Sequence, residues 1–311
     1  MGEQYHIPVL FNEVMTLLHL QPGLTVVDAT LGGGGHSRGI LERILPGGFL
    51  VGIDRDKDAI AAASRELSAF SGGFKLVCSN LRSIGETLDG LGITEVDRIL
   101  FDFGVSSYQI DTEERGFSYM AGDAPLDMRM DRNQSTTAAT LLNTLQEAEL
   151  SKIISEYGEE RYARRIARSI CARRERHLFS KVSDLINAIE ACVPRGTGSG
   201  HRAKRTFQAL RIAVNDELAA VGEGLEAGFA RLRASGILAA ISFHSLEDRI
   251  VKHTMRQWAR RCVCRPEMPV CQCRGRSLAE SLTQKPVLPT KEEKSTNRRS
   301  HSAKLRAVRK F

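Results

Sequence analysis

The sequence predicts an α/β protein, a mostly parallel sheet with helices on its faces, interrupted by an all-α insert. Three observations carry that expectation. In the first hundred residues, short β-branched runs alternate with amphipathic stretches, the pattern of strand–helix units that builds a parallel sheet. The first of those runs leads through TVVDATLGGGGHS, Thr25 to Ser37, where four consecutive glycines, Gly32 to Gly35, open a helical pattern. After the fourth run the alternation stops, and about 95 residues, roughly 112–206, show helical spacing and no convincing strand.

Taken in order, strands are expected at 25–31, 48–54, 74–79 and 96–103, with helices at 37–45 and 58–70 and a shorter one near 82–91. The loop ERGFSYMAGDAPLDMRMD, Glu114 to Asp131, mixes charged and apolar residues without either period. Within the insert, Tyr162, Ile166 and Ile170 recur at every fourth residue as an apolar stripe. Arg161, Arg164, Arg165 and Arg168 form a partly separate basic stripe. VPRGTGSGHRAK, 193–204, is a loop by composition. The α/β pattern then resumes. TFQALRIAVNDELAAVGEGLEAGFARL reads as a long helix or a helix pair, followed by the strand GILAAISFHS and the amphipathic LEDRIVKHTMRQWARR. Two short segments, QKPVLP and AKLRAVRK, are the expected closing strands. The expected domains are a discontinuous α/β domain, 1–111 and 207–311, and a helical insert, 112–206.

A chain of 311 residues can bury a full α/β core with room for a second small domain. No apolar run approaches the roughly 20 residues of a membrane span. The opening MGEQYHIPVLFNEV lacks a basic region followed by an apolar one, which argues against a secretory signal and for the cytoplasm. The net charge of +7 is unevenly spread. Residues 1–150 carry 11 Lys and Arg against 21 Asp and Glu, a balance of −10. Residues 151–211 carry 14 against 6, or +8, and residues 252–311 carry 16 against 4, or +12. Two basic segments after an acidic half suggest a polyanionic partner, with a merely solvated basic face as the alternative.

Seven cysteines, an odd number without a secretion signal, argue against a disulfide framework. Cys262, Cys264, Cys271 and Cys273 put four thiols within 12 residues, a candidate zinc cluster. Their C-x-C pairs, six residues apart, depart from the C-x-x-C knuckle. Cys78, Cys171 and Cys192 lie within strand or helix patterns and read as small buried hydrophobes.

Glycine lets a backbone turn tightly while a ligand lies against it. A second apolar run, FLVGIDRD, puts Asp54 about 20 residues past the glycines, where a carboxylate grips ribose hydroxyls. Together they point to a nucleoside cofactor. A dinucleotide fingerprint wants a third small residue where helix packs on strand, and Gly32-x-Gly34-x-x-Ser37 departs from it. S-adenosylmethionine has no phosphate; it needs glycines for close approach and an acid for its ribose, and both are present. DFGVSS, from Asp102, ends the fourth strand beside the crevice where such sheets bind ligands. Asp102 is therefore a candidate to accept a hydrogen bond from an amine and orient its nitrogen, the alternative being a strand-end cap. His244, in ISFHSLEDR, ends another strand on the same edge as a general base, a base-stacking platform or a structural group. SLED also reads as a capping box of Ser245 and Asp248. Arg115, Asp127 and Arg129 read equally as a buried salt-bridge clasp and as substrate contacts.

These strings, with GIDRD, ERGFSY, PLDMRMD, YGEERYARRIARSI and SAKLR, resemble in order the segments of the MraW (RsmH) family of bacterial 16S rRNA (cytosine-N4)-methyltransferases. The likeness runs from HIPVL near the start to SAKLR near the end. It implies a class I (Rossmann-like) methyltransferase fold, a mostly parallel seven-stranded sheet with the helical insert. It also implies N4-methylation of a cytidine in the decoding region of small-subunit rRNA, with S-adenosylmethionine as cofactor. The implied cofactor residues are Gly34, Gly35 and His36 in the first turn, Asp54 on the ribose, and Leu81, Asp102 and Gln109. The family usually has proline after GVSS; this chain has Tyr108, which leaves the loop backbone less fixed.

Methyl transfer from a sulfonium requires no metal and no covalent enzyme intermediate. The poor nucleophile is the exocyclic amine, whose lone pair is delocalised into the ring. An acceptor on its hydrogens, Asp102, would aim that lone pair at the methyl, with His244 a lesser candidate for base contact or proton transfer. The target base must leave its stack. Arg164, Arg165, Arg168 and Arg129 are the expected RNA contacts, and 16S rRNA or the small subunit is the expected partner. A homo-oligomer stays open. The competing readings are a methyltransferase for another nucleic acid or for protein, a nicotinamide dehydrogenase, and a non-enzymatic RNA-binding module.

Overall fold

The computed structural model describes residues 8–70, 72–194, 201–262, 264, 268, 270, 272 and 275–311. The chain divides into two compact units, one made of Met1–Gly104 and Leu218–Phe311, the other of Val105–Glu217. Helix α1 (Phe11–Leu17) precedes β1 (Thr25–Asp28), α2 (Gly35–Ile44), β2 (Phe49–Asp54), α3 (Lys57–Glu66) and β3 (Phe74–Cys78). A 3-10 turn (Leu81–Ser83), α4 (Ile84–Gly90) and β4 (Val96–Asp102) follow. Then come α5 (Ser107–Asp111), a 3-10 turn (Glu113–Arg115), α6 (Ala138–Thr144), α7 (Glu147–Gly158), α8 (Ala163–Arg174), α9 (Val182–Glu190) and α10 (Lys204–Asn215). The chain then runs through α11 (Glu217–Arg231), β5 (Leu232–Ser242), α12 (Ser245–Ala259), β6 (Ala279–Ser281), α13 (Lys291–Thr296) and β7 (Lys304–Lys310).

The seven strands form one sheet in the order β3-β2-β1-β4-β5-β7-β6. β1 to β5 are parallel, and β7 runs antiparallel to both β5 and β6. This is the mostly parallel seven-stranded sheet the sequence predicts. The chain winds outward from β1 to β3, then returns to the other side of β1 as β4. The carboxyl ends of β1 and β4 therefore flank the switch point, where open α/β sheets bind ligands.

Both faces of the central strands are covered, so their runs are apolar almost throughout. Consecutive residues point to opposite sides. Val27, Val51, Ile99 and Leu238 join one core with Leu225, Val251 and Trp258. Val26, Leu50, Leu100 and Ala239 join the other with Val14, Leu41 and Ile44. Trp258 stacks on Phe229 at 4.0 Å between ring centroids. Each such fully buried aliphatic side chain contributes roughly 1.5–3 kcal/mol.

The helical unit has its own core, in which Ile166 and Ile170 from α8 meet Leu150 and Ile154 from α7 and Leu185 from α9. Phe207, Leu210 and Val214 of α10 belong to that core. The compact unit accordingly extends to Glu217 and begins at Val105, where the sequence expectation had 112–206.

Two local expectations are corrected. QKPVLP is not a strand: Val287 makes one isolated bridge to Leu305, and β6 lies earlier, at Ala279–Ser281. Pro286 and Pro289 have no N–H to give a ladder. The capping box on α12 is His244 with Glu247, not Ser245 with Asp248. Asp248 instead pairs with Arg306 at 2.8 Å and Lys304 at 3.0 Å, both on β7. The helix pair breaks at Asp216, which takes a left-handed φ of 47°. Among the described residues no helix is long and apolar enough to cross a membrane.

Candidate active site

Three carboxylates stand at the carboxyl ends of adjacent strands: Asp28 on β1, Asp54 on β2 and Asp102 on β4. The glycine turn runs beside them. Gly34 caps α2 with φ of 87°, and a Cβ there would meet Cα and Cβ of Ala63 on α3 at 3.2 Å. Gly33 faces open space, so the turn presents bare backbone outward. Gly32 N–H donates to Asp54 Oδ2 at 2.9 Å, and Asp56 N–H donates to Oδ1 at 2.9 Å. The acid and the turn are thus one unit. Burial pushes Asp54 above its ordinary range, against the pull of those two N–H groups.

Asp28 is buried and accepts from the Ser37 hydroxyl at 2.7 Å and from Thr30 N–H at 3.3 Å. Burial raises its carboxyl to about 6, against the lowering effect of Ser37. Thr30 Oγ1 in turn accepts from the backbone N–H of Asp102. Ser37 is therefore no defect in a dinucleotide fingerprint; its hydroxyl ties α2 to the end of β1.

Asp102 Oδ1 is buried and has no hydrogen-bond partner among the described residues. Oδ2 lies 3.5 Å from His36 Nδ1, and the Asp102 side chain keeps 24% of its surface exposed. Burial, then the neighbouring carboxylates Asp28 and Glu247, push Asp102 well above the usual carboxylate range. An unmade hydrogen bond at a buried acceptor costs about 1–3 kcal/mol. A donor arriving at Oδ1 would recover that cost.

His36 is buried, with Nε2 at 3.1 Å from the Val9 carbonyl. His244 lies at the end of β5 as the N-cap of α12, where Nδ1 accepts from Glu247 N–H at 3.4 Å and Nε2 lies 3.0 Å from Glu247 Oε1. Glu247 Oε2 also accepts from the N–H groups of Phe243, at 2.8 Å, and His244, at 3.2 Å. His244 thus caps α12. Leu81 starts the turn after β3, half-buried, and a Cβ on Gly224 of α11 would lie 2.1 Å from its Cδ1.

This donor set fits S-adenosylmethionine. A sulfonium, an ammonium and a ribose diol suit three acceptors and a glycine turn. A pyrophosphate would face three carboxylates.

The remaining candidates belong to the helical unit. Gln109 is buried in α5, where its Oε1 accepts from Ser106 N–H at 3.0 Å and its own N–H donates to Ser106 Oγ at 3.2 Å. Arg164, Arg165 and Arg168 are exposed on α8, and Arg168 Nε lies 3.7 Å from Glu147. Arg129 makes a two-point contact with Asp127, 2.7 Å at each oxygen, and donates to the carbonyls of Arg132 at 3.1 Å and Gln134 at 2.7 Å. Arg115 is buried and donates to the carbonyls of Arg129, at 2.9 Å, and Met130, at 3.1 Å. Arg129 and Asp127, both half-buried, form the ion pair, and Arg115 reaches the backbone beside it. Cys262 is exposed and Cys264 half-buried; Cys271 and Cys273 of the candidate zinc cluster lie outside the described residues.

Sequence reasoning overlooked Thr30, Ser37 and Glu247 as parts of the site. Ser37 sits at the third-glycine position, and that departure was the available signal. Nothing local marks Glu247, whose role depends on where β5 ends.

The family model described as the MraW methylase family matches residues 3–311. The ribosomal RNA small subunit methyltransferase H of Symbiobacterium thermophilum is 49% identical over 99% of this chain and 97% of its own length. Its counterpart in Heliobacterium modesticaldum is 48% identical over 99% of both chains. The one in Geotalea uraniireducens is 48% identical over all of both.

Proposed function

The chain belongs to the MraW methylase family, and on that premise we propose that it methylates the exocyclic N4 of a cytidine in the decoding region of 16S rRNA, cytidine 1402 in the usual numbering. The protein is a methyltransferase with S-adenosylmethionine as its cofactor. When bound, that cofactor supplies a methyl group activated on sulfur. The names of the relatives support an RNA substrate, and 16S rRNA or the small subunit in the cytoplasm is the proposed partner.

One observation carries the choice of an amine: the unpartnered acceptor Asp102 Oδ1 at the switch point. An amine N–H donated to it holds the cytosine nitrogen with its lone pair directed away from Asp102. The cofactor, held by the glycine turn and Asp54, would supply the methyl group to that lone pair and would keep the sulfur bonding pair. Asp102 Oδ1 takes the proton that the charged nitrogen then sheds, and passes it to water. Gly34, Gly35 and His36 shape the turn under the cofactor, Asp54 holds its ribose, and Leu81 and Gln109 complete the proposed set. Much of the rate then comes from positioning.

Arg164, Arg165 and Arg168 hold RNA phosphates in this reading, while Arg129, already spent on Asp127 and backbone carbonyls, has little left to give. Mass mapping of 16S rRNA from cells with and without this protein tests the reaction and its target together. Loss of one N4-methyl group at a single cytidine is expected. An unchanged map, or loss at a different atom, overturns the reading.

A further inference from the structure

Strands β1 and β4 are paired as far as Asp28 and Leu100, and Ala29 N–H still donates to the Leu100 carbonyl at 2.9 Å. One more step of a parallel ladder would bring Asp102 N–H to a carbonyl of β1. The chain has left the sheet by then and is turning into the glycine run. A side chain takes over: the Thr30 hydroxyl oxygen accepts from Asp102 N–H. Thr30 is itself tied down, since its N–H donates to Asp28 Oδ1 at 3.3 Å, and Ser37 holds the other oxygen of Asp28 at 2.7 Å. On the far side of β4, Phe103 N–H donates to the Ile241 carbonyl of β5 at 3.0 Å. Gly104 follows with φ of 102°, a conformation that glycine adopts freely.

We propose that Thr30 is a positioning residue for Asp102: its hydroxyl oxygen stands in for the ladder carbonyl that β1 no longer supplies, and so holds the end of β4 where Oδ1 meets the substrate amine. This rests on the reading that Asp102 serves methyl transfer. An apolar side chain of the same shape would fill the same space and withdraw that acceptor from Asp102 N–H. The acid could then shift with the glycine turn behind it. In a reaction governed by alignment, a displacement of about 1 Å in such a group costs up to about a hundredfold in rate.

Two substitutions separate the hydroxyl from the shape. Thr30→Val keeps the branched side chain and removes the acceptor, whereas Thr30→Ser keeps the acceptor. In isotope-labelled full-length protein, Asp102 N–H should exchange slowly with solvent in the wild type and in Thr30→Ser, and about tenfold faster or more in Thr30→Val. The N–H groups of Ala29 and Phe103, on the ladders to either side, should stay slow in all three. Single-turnover rates at saturating cofactor and RNA should fall about tenfold or more in Thr30→Val and stay within about threefold in Thr30→Ser. On an Asp102→Asn background, Thr30→Val should cost no more than about twofold further, because the group it positions is gone.

A purely structural role would lower unfolding free energy in Thr30→Val and leave the rate of the folded protein unchanged. Equal exchange of Asp102 N–H in the wild type and Thr30→Val overturns the proposal. So does a wild-type rate in Thr30→Val, a Thr30→Ser variant as slow as Thr30→Val, or a loss that adds in full to that of Asp102→Asn. If the wild-type protein methylates no cytidine N4, the functional reading fails, while the exchange comparison still decides whether Thr30 holds the end of β4.

Discussion

The Ser37 hydroxyl donates to Asp28 Oδ2 at 2.7 Å, and both side chains are buried. That bond joins the first turn of α2 to the last residue of β1, under the glycine run. A third glycine at position 37 would let helix and strand pack closely but would leave Asp28 without its strongest partner. Asp28, Thr30 and Asp102 are linked from there: Thr30 N–H donates to Asp28, and Asp102 N–H donates to Thr30. The turn, the first strand and Asp102 are one hydrogen-bonded assembly.

Replacing Ser37 by Ala removes that donor and leaves a buried carboxylate undersatisfied. The expected loss is about 1–3 kcal/mol of unfolding free energy, measured by urea denaturation at pH 7. Ser37→Gly should lose more, by roughly another 0.5–1 kcal/mol for glycine inside a helix. Wild-type stability in both variants would assign the bond no energetic weight.

Asp28 imposes a pH dependence of a defined sign. Its carboxyl titrates near 6 in the folded protein, against an ordinary value of 3.8. Between those values the folded state holds a proton that the unfolded state has released. Stability from this group therefore falls as pH rises from about 4 to about 6, by roughly 3 kcal/mol at most, and is level above that. Asp28→Asn should remove that slope from a plot of unfolding free energy against pH. A slope that survives the substitution must come from other groups.

Gly34 holds φ of 87° with α3 at its back. An alanine there is strained by about 1–2 kcal/mol and presses on the Ala63 backbone at 3.2 Å. Gly34→Ala should both lower stability and weaken cofactor binding by calorimetry. Gly33→Ala enters open space and should spare the fold; any loss of cofactor affinity there reports contact with the ligand.

Asp102 acts as an acceptor when ionised, and burial beside Asp28 and Glu247 makes it harder to ionise. The acid limb of the single-turnover rate should therefore lie above the ordinary carboxylate range, with activity rising as pH increases through it. Asp102→Asn should cost about a hundredfold or more at the optimum with the fold intact by circular dichroism. Wild-type turnover in that variant removes Asp102 from the chemistry.

Arg164, Arg165 and Arg168 are exposed and lie on one helix. If they meet phosphates, changing all three to Gln should flatten the plot of log affinity against log salt by roughly 2 to 3, at about 0.7–0.9 for each phosphate neutralised. Filter binding of a 16S fragment at several salt concentrations provides the slope. An unchanged slope identifies a solvated face of α8.

Much of this architecture was legible in the chain. The runs at β1, β2 and β4 are apolar because both sheet faces are covered, and that pattern is local. The stripe of Ile166 and Ile170 marked the buried side of α8 and left the arginines outside. QKPVLP misled because its apolar residues suggest a strand while its prolines withhold the ladder donors. The helix boundary at His244 misled for another reason: Ser245 and Asp248 have the side chains of a cap, but backbone direction at the end of β5 gives that position to His244 and Glu247.

The glycine run, Asp54 and the strand-ending Asp102 were set by the sequence alone, since tight turns and strand ends are decided within a few residues. Whether those groups meet was a matter of register. Asp28 stands opposite Gly52 on one side and Leu100 on the other, and this alignment carries Gly32 to Asp54 and His36 to within 3.5 Å of Asp102. Positions 22 and 66 residues apart share no local signal. Sheet pairing brings them together, and burial there turns ordinary aspartates into a reluctantly ionised cluster in which Asp102 Oδ1 has no hydrogen-bond partner among the described residues.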